Sequence, residues 1–353
     1  MKGRSVKALL LAALLGVVLT LTIAGTGSAR IDAAEQDTFK VALVTDIGGL
    51  DDRLFNFLAN KGLNDAKRAG GVEGKVYISN SNADYVRNLT AAVRQYQADL
   101  TISVGFLMGE ATAQVAKRFP NAKFAIIDNS GVAAELKGKP TNVRGLLFKE
   151  QEAGYLVGYL AALRAKNVPN GNGLIAAVGG LKIPPVDRFL GGYYQGARAA
   201  WSGVKVAHSY SQDFVDQAKC KEQALNHIAN GASVVFQVAG QCGLGVLSAA
   251  KERNVFGIGV DADQFYLGNH VLTSATKKVD VAVSSTIANA KSTGARFRTN
   301  FNAIFTVKNN GVGYGKISSR AQPSWRKALV GVRARIASGR IKVTQQAPPK
   351  TSG

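Results

Sequence analysis

Four residues at the ends of apolar runs carry the chemistry that is legible in this chain. Asp46 closes "KVALVTD" (40–46), Asp128 closes "KFAIID" (123–128), Gly240 closes "SVVFQVAG" (233–240) and Asp261 closes "VFGIGVD" (255–261). An ionised carboxylate accepts hydrogen bonds and never donates them. Three acids on one edge therefore suit vicinal hydroxyls, ring N–H groups or exocyclic amines, and repel a phosphate or carboxylate. The turn after Asp46 carries Gly48 and Gly49, as a phosphate cradle would, but Asp51 and Asp52 give it the wrong sign. First-turn acids favoured by a helix dipole explain Asp51 and Asp52 without any ligand. Helix capping explains any one of the three tip acids. For all three together, ligand contact is the better reading. Phe55 and Phe214 follow two of these runs closely in sequence. A phenyl face stacks on a heterocycle or sugar, worth about 1–3 kcal/mol for a base. Core packing explains either phenylalanine alone equally well.

The elements that must hold these tips are strands. Apolar, β-branched runs alternate with helical patterns: "KVALVTD" precedes a helix over about 53–69, "KVYISN" (75–80) precedes "YVRNLTAAVRQYQ", and "LTISVG" (100–105) precedes "LMGEATAQVAKRF". "KFAIID" and "VRGLLF" (143–148) follow, then a long helical run over 149–165. The rhythm restarts at "LIAAVGG" (174–180) and continues through "KVAHSYS" (205–211), a helix over 216–230, "SVVFQVAG" and "VFGIGVD". This pattern predicts an α/β fold with two doubly wound parallel-sheet lobes. A length of 353 residues accommodates two domains. Ligands of such sheets bind beyond the carboxyl ends of the strands, where the four tip residues lie.

Charge and composition narrow the setting. Lys2, Arg4 and Lys7 precede an uncharged apolar run from Ala8 to Ile23, and Gly27-Ser28-Ala29 supplies small residues. Residues 1–29 read as an export signal rather than an uncleaved anchor; cleavage after Ala33 or Ala34 fits nearly as well. No cysteine follows the run, so the reading is an exported protein of the periplasm or cell surface, not a lipoprotein. Removing Lys2, Arg4 and Lys7 from the net charge of +21 leaves +18. After Asp280 the chain has thirteen Lys and Arg and no acid. Such a field favours an anionic envelope surface; plain solubility explains it as well. Nucleic acid is not an expected partner, since no recognisable binding module is present. Cys220 and Cys242, outside the cell, either pair or stay as separate buried thiols; spacing does not choose. The only histidines, His208, His227 and His270, lack metal-ligand spacing, and His208 falls on a strand. No nucleophile elbow, P-loop or dinucleotide fingerprint appears. An enzyme is not expected, although Asp46 beside Asp51 and Asp52 could imitate a water activator. No cofactor is expected.

The ordered series "KVALVTDIGGLDDRLFN" (40–56), "NVRGLLFKEQEAGYLVGYLAAL" (142–163), "RFLGGYYQGARAA" (188–200), "VVFQVAGQCGLGVLSAAKE" (234–252), "GIGVDADQ" (257–264), "VLTSATKKVDVAV" (271–283) and "IASGRIKV" (336–343) resembles the basic-membrane-protein, or PnrA-like, family. Its members are ABC-transporter substrate-binding proteins of the periplasmic-binding-protein type I fold, several of them purine-nucleoside receptors. The resemblance implies two lobes joined by a hinge: 38–146 completed by part of 272–307, and 147–271 completed by part of 308–345, with 346–353 a disordered tail. It implies a monomer that closes on a small molecule, a nucleoside by this reading, and meets a membrane permease. Carried over, Phe55 and Phe214 are the two stacking rings. Asp46, Asn56, Asp128 and Asp261 are polar ligands, Gly240 is a close backbone approach, and Lys277 is the cation near the sugar. Many relatives carry a lipid-bearing cysteine that this chain lacks. A sensor or surface receptor of the same fold is the competing reading.

Overall fold

The computed structural model describes residues 38–51 and 53–349. The export signal, Asp52 and residues 350–353 lie outside the described residues. Twelve strands and nine α-helices are described, in two six-stranded sheets. The first sheet contains β1 (Phe39–Val44), β2 (Val72–Tyr77), β3 (Leu100–Ser103), β4 (Phe124–Ile127), β5 (Val143–Phe148) and β11 (Phe301–Phe305), in the order β11-β5-β4-β3-β1-β2. The second contains β6 (Leu174–Gly179), β7 (Lys205–Tyr210), β8 (Val234–Val238), β9 (Phe256–Asp261), β10 (Val271–Lys277) and β12 (Val312–Tyr314), in the order β12-β10-β9-β8-β6-β7. Pairing is parallel throughout except for β12, which runs antiparallel to β10. This is the α/β architecture expected from the strand–helix rhythm.

Alternation along each strand explains the layers. Val41 and Leu43 face one core while Ala42 and Val44 face another, and all four are fully buried. A parallel strand covered on both faces must be apolar on both. α1 (Phe55–Arg68) and α8 (Val279–Thr293) pair with each other, as do α2 (Asp84–Arg94) and α3 (Gly109–Arg118). On the second sheet α4 (Glu150–Lys166) pairs with α5 (Pro184–Ala200), and α6 (Gln217–Ala229) with α7 (Gly243–Glu252). α9 (Pro323–Ala337) packs against α4. No helix among the described residues is long and apolar enough to cross a membrane.

Two local readings shift. The second strand was expected at 75–80 but spans Val72–Tyr77, because its register is set from the start of β1, with Phe39 opposite Val72. Residues 346–349, expected as the start of a disordered tail, run along α5: the Gln346 carbonyl occupies the space above Gly191. Just before it, Gln195 holds the Thr344 backbone at 3.0 and 3.1 Å. Cys220 and Cys242 form a disulfide with a Cα–Cα distance of 5.5 Å, tying α6 to the turn before α7.

The chain passes between sheets three times: from β5 into α4, from β10 into α8, and from β11 to β12. Backbone bonds knit the passages together. Lys149 N–H donates to Phe305 O at 2.8 Å, and Lys278 N–H donates to Gly311 O at 2.9 Å. Val307 N–H donates to Glu152 Oε2 at 2.7 Å. The Phe148 and Phe305 rings stack at 4.8 Å. Three short segments thus run side by side between the two sheets.

α4 and α5 cross in close contact because each presents two glycines one turn apart. A Cβ on Gly158 would stand 2.1 Å from Tyr193 O, and one on Gly196 2.0 Å from Tyr155 O. Backbone cannot yield as a flexible side chain can, so even one methyl forces the helices apart. Gly196→Ala is expected to destabilise the fold by about 1–3 kcal/mol, measured by urea denaturation. An unchanged midpoint would show that the crossing tolerates separation.

Candidate functional site

β1 runs out into Thr45 and Asp46, and the backbone then turns through Gly48 (φ +111°) and Gly49 (φ +69°). Asp46 is 8% exposed. Its Oδ1 accepts from Ile47 N–H at 2.8 Å and from the hydroxyl of Tyr85, buried on α2. Burial pushes the Asp46 carboxyl up to about 6; the Tyr85 and Ile47 bonds pull the other way, and the nearby Asp128 charge adds to the rise. At neutral pH Asp46 is thus an anion held in a place that disfavours the charge.

Asn56 follows on α1 and is buried. Its Nδ2 donates to Asp46 O and Ile47 O, both at 3.2 Å, which fixes the amide. That leaves Oδ1 buried with no hydrogen-bond partner among the described residues. Asp128, at the tip of β4, shows the same asymmetry. Oδ2 takes the Lys277 ammonium at 2.6 Å, whereas Oδ1 is buried without a partner. Two acceptors left in this state within one cavity call for donors, because an unmade buried hydrogen bond costs about 1–3 kcal/mol.

Lys277 closes β10 and is 2% exposed. Its Nζ lies 2.6 Å from Asp128 Oδ2 and 3.0 Å from Glu150 Oε1. Glu150 is fully buried at the start of α4 and also receives Arg188 of α5, with Nε to Oε2 at 2.7 Å. Burial alone would depress the Lys277 ammonium, but Asp128, Glu150 and Asp261 outweigh it and hold its pKa above the usual value. The same Nζ lies 5.2 Å from the Phe55 ring centroid and 4.9 Å from that of Phe148, within cation–π range.

Asp46, Phe55, Asn56, Asp128, Phe214, Gly240, Asp261 and Lys277 all line one cavity between the sheets. Phe55 stands at the first turn of α1, and Phe214 comes from the loop after β7, so rings reach the cavity from the helices and loops of both sheets. Asp128 (φ +66°), Asp261 (φ +59°) and Gly240 (φ +54°) take left-handed backbone at their strand ends. This conformation is uncommon for a residue with a Cβ and gathers at functional sites.

The structure adds residues that the sequence reading passed over. Gly105 and Phe106 line the cavity at the end of β3, and the strand-tip rule applied to "LTISVG" would have found them. A Cβ on Gly105 would stand 2.5 Å from Asp46 Oδ2. Phe189 lines the cavity from α5, but a phenylalanine inside a helix reads as core. Tyr85 and Glu150 act from behind the wall, and their partners are distant in sequence, so no local pattern marks them.

A family profile described as "ABC transporter substrate-binding protein PnrA-like" matches residues 39–347. The ABC transporter nucleoside-binding protein BmpA of Lactococcus lactis subsp. cremoris is 34% identical over 328 residues, covering 86% of this chain and 88% of that one. An uncharacterized lipoprotein of Pyrococcus horikoshii is 32% identical, covering 87% of this chain and 77% of its own. Among solved structures, an ABC transporter solute-binding protein from Aeropyrum pernix K1 superposes with a TM-score of 0.78 at 28% identity, covering 89% of this chain and 94% of that one.

Two outcomes follow from the charges. The raised Asp46 carboxyl keeps its proton more tightly in the folded state than in the unfolded one. Its contribution to stability is therefore fully present near pH 4 and is lost as pH rises through about 6. Asp46→Asn should be more stable than the parent by about 2–3 kcal/mol at pH 7.5 and nearly equal to it at pH 4. Urea titrations at the two pH values check this; a pH-independent difference contradicts it. Lys277→Met strands buried carboxylates and should cost about 3–5 kcal/mol. Adding Asp128→Asn should recover part of the loss in the same assay, and no recovery would mean that the ammonium acts through packing alone.

Proposed function

Because the chain belongs to the PnrA-like family of ABC transporter substrate-binding proteins, we propose that its cleft receives a purine nucleoside and delivers it to a membrane permease. Members of this family are extracytoplasmic receptors for small solutes, not enzymes. The observation that carries the nucleoside reading is the pair of buried acceptors, Asn56 Oδ1 and Asp128 Oδ1, without partners in a cavity walled by phenyl rings. Base N–H groups and ribose hydroxyls are donors that such oxygens accept. Phe55 and Phe214 supply the faces on which a base stacks, at about 1–3 kcal/mol each. Hydrogen bonds to charged groups add roughly 1.5–3 kcal/mol apiece. Asp46, Asp128 and Asp261 disfavour a nucleotide, whose phosphate they would repel.

The mechanism in this reading is a hinged clamp. Asp46, Asn56 and Asp128 come from the first sheet and its helices, and Gly240, Asp261 and Lys277 from the second. A ligand touching both sets stabilises the closed arrangement by its differential affinity for it. We assign the two lobes to 38–148 with 279–305, and to 150–277 with 312–345. The receptor is read as an exported monomer without lipid. Its acid-free C-terminal region after Asp280 is read as holding it near an anionic envelope surface. The L. lactis relative is named as nucleoside-binding, which agrees with the ligand proposed here. A neighbouring gene for a histidine kinase, rather than for a permease and ATPase, would favour the sensing role instead.

Mass spectrometry of the ligand released from purified protein should find a nucleoside. Thermal-shift and calorimetric titration should show guanosine or inosine binding without release of free base. Phe55→Ala and Phe214→Ala should each weaken binding about 5- to 150-fold, the equivalent of about 1–3 kcal/mol. Stabilisation by free sugars alone would overturn the nucleoside reading.

A further inference from the structure

The edge of the second sheet opposite the cleft carries a charge arrangement unrelated to the ligand site. Phe256 opens β9, whose other end is Asp261, roughly 17 Å away at the usual strand rise. Two guanidiniums approach the buried Phe256 ring: Arg320 at 4.5 Å and Arg164, in the last turn of α4, at 5.7 Å from its centroid. Among the described residues neither has an ion pair or a side-chain hydrogen bond. Arg164 is partly buried, and both burial and the Arg320 charge act against its own charge. His270, 9% exposed and without a side-chain hydrogen bond among the described residues, sits within the field of Lys251 and Arg320.

Arg144 provides the contrast. It also lies against an aromatic ring, 3.9 Å from the Phe297 centroid, but is more deeply buried than Arg164 or the exposed Arg320. Its donors, however, are taken by Arg298 O at 2.7 Å and Asn289 Oδ1 at 2.8 Å. At Phe256 two guanidiniums, partly buried Arg164 and exposed Arg320, share one ring with no protein acceptor for their side chains among the described residues, and the Arg320 charge acts on both Arg164 and His270. Guanidinium donors match a tetrahedral oxyanion bidentately, and ring packing holds the planes in position beforehand.

From this geometry we infer that Arg164, Arg320, Lys251 and His270 form a second binding site, for a phosphate group, at the pole of the molecule remote from the cleft. The group comes either from free phosphate or from the head-group of an anionic phospholipid. The site does not depend on which solute the cleft binds.

The test uses the full described chain without its leader. One arm titrates inorganic phosphate against chloride at matched ionic strength and follows the thermal midpoint. The other measures sedimentation with phosphatidylcholine vesicles with and without phosphatidylglycerol. Arg164→Gln with Arg320→Gln should abolish the phosphate-specific shift, or lower vesicle affinity by about fivefold per cation removed. Arg320→Gln alone changes an exposed side chain and should give about half that effect on a logarithmic scale. It keeps the test valid if the double variant fails to fold. Lys117→Gln with Arg118→Gln removes the same charge from α3 on the other sheet and should change neither readout by more than about twofold. The arm that responds identifies the source. Equal losses in the two double variants, or no phosphate preference in either arm, would overturn the site.

Discussion

The ammonium of Lys277 is the contact on which this arrangement turns. A buried lysine loses several kcal/mol of hydration, and it stays charged only because carboxylates surround it. Those carboxylates come from different parts of the molecule: Asp128 from the tip of β4, Glu150 from the passage into α4, and Asp261 from the tip of β9. Glu150 in turn binds Arg188 of α5. One cation thereby ties the first sheet, the hinge and the second sheet together beneath the cavity. The same geometry leaves Asp128 with one oxygen committed and the other buried without a partner among the described residues.

The cleft is built from backbone as much as from side chains. Parallel strands deliver their ends to one edge, and the chain must reverse there into a helix. At Asp128, Asp261 and Gly240 it reverses through left-handed backbone. The reversal exposes a carboxylate or a bare Cα to the space between the sheets instead of burying it in the sheet. Small backbone also governs the contact behind the cavity. The glycine-mediated crossing of α4 and α5 brings Phe189 and Arg188 to their positions.

Charge is divided between the ends of the fold. The cavity edge concentrates carboxylates and amide oxygens, although the chain as a whole carries +21. The opposite edge of the second sheet concentrates arginine, lysine and histidine around Phe256. Carboxylates at a cavity edge favour neutral, donor-rich groups over anions.

The fold class was legible in the sequence because near-continuous apolar runs separated by helical periods have one economical solution, a parallel sheet covered on both faces. The tip residues were legible for the same reason: a strand that ends on aspartate in such a sheet ends on the ligand edge. Beyond Asp261 the rhythm no longer announced the outcome. The pairing of β11 with β5, and of β12 antiparallel to β10, depends on partners more than a hundred residues away in one case and on a short edge strand in the other. Whether Cys220 and Cys242 meet was undecided by their spacing and is decided by the packing of α6 against α7. Which oxygen of Asp128 is spent, what holds the Asp46 carboxyl against the rise that burial imposes, and why Glu150 can be buried likewise depend on Lys277, Tyr85 and Arg188. Residue type and local period determine what a side chain can do. Only the tertiary structure decides which other side chain stands within hydrogen-bond reach of it, because that distance is set by contacts between segments far apart in the chain.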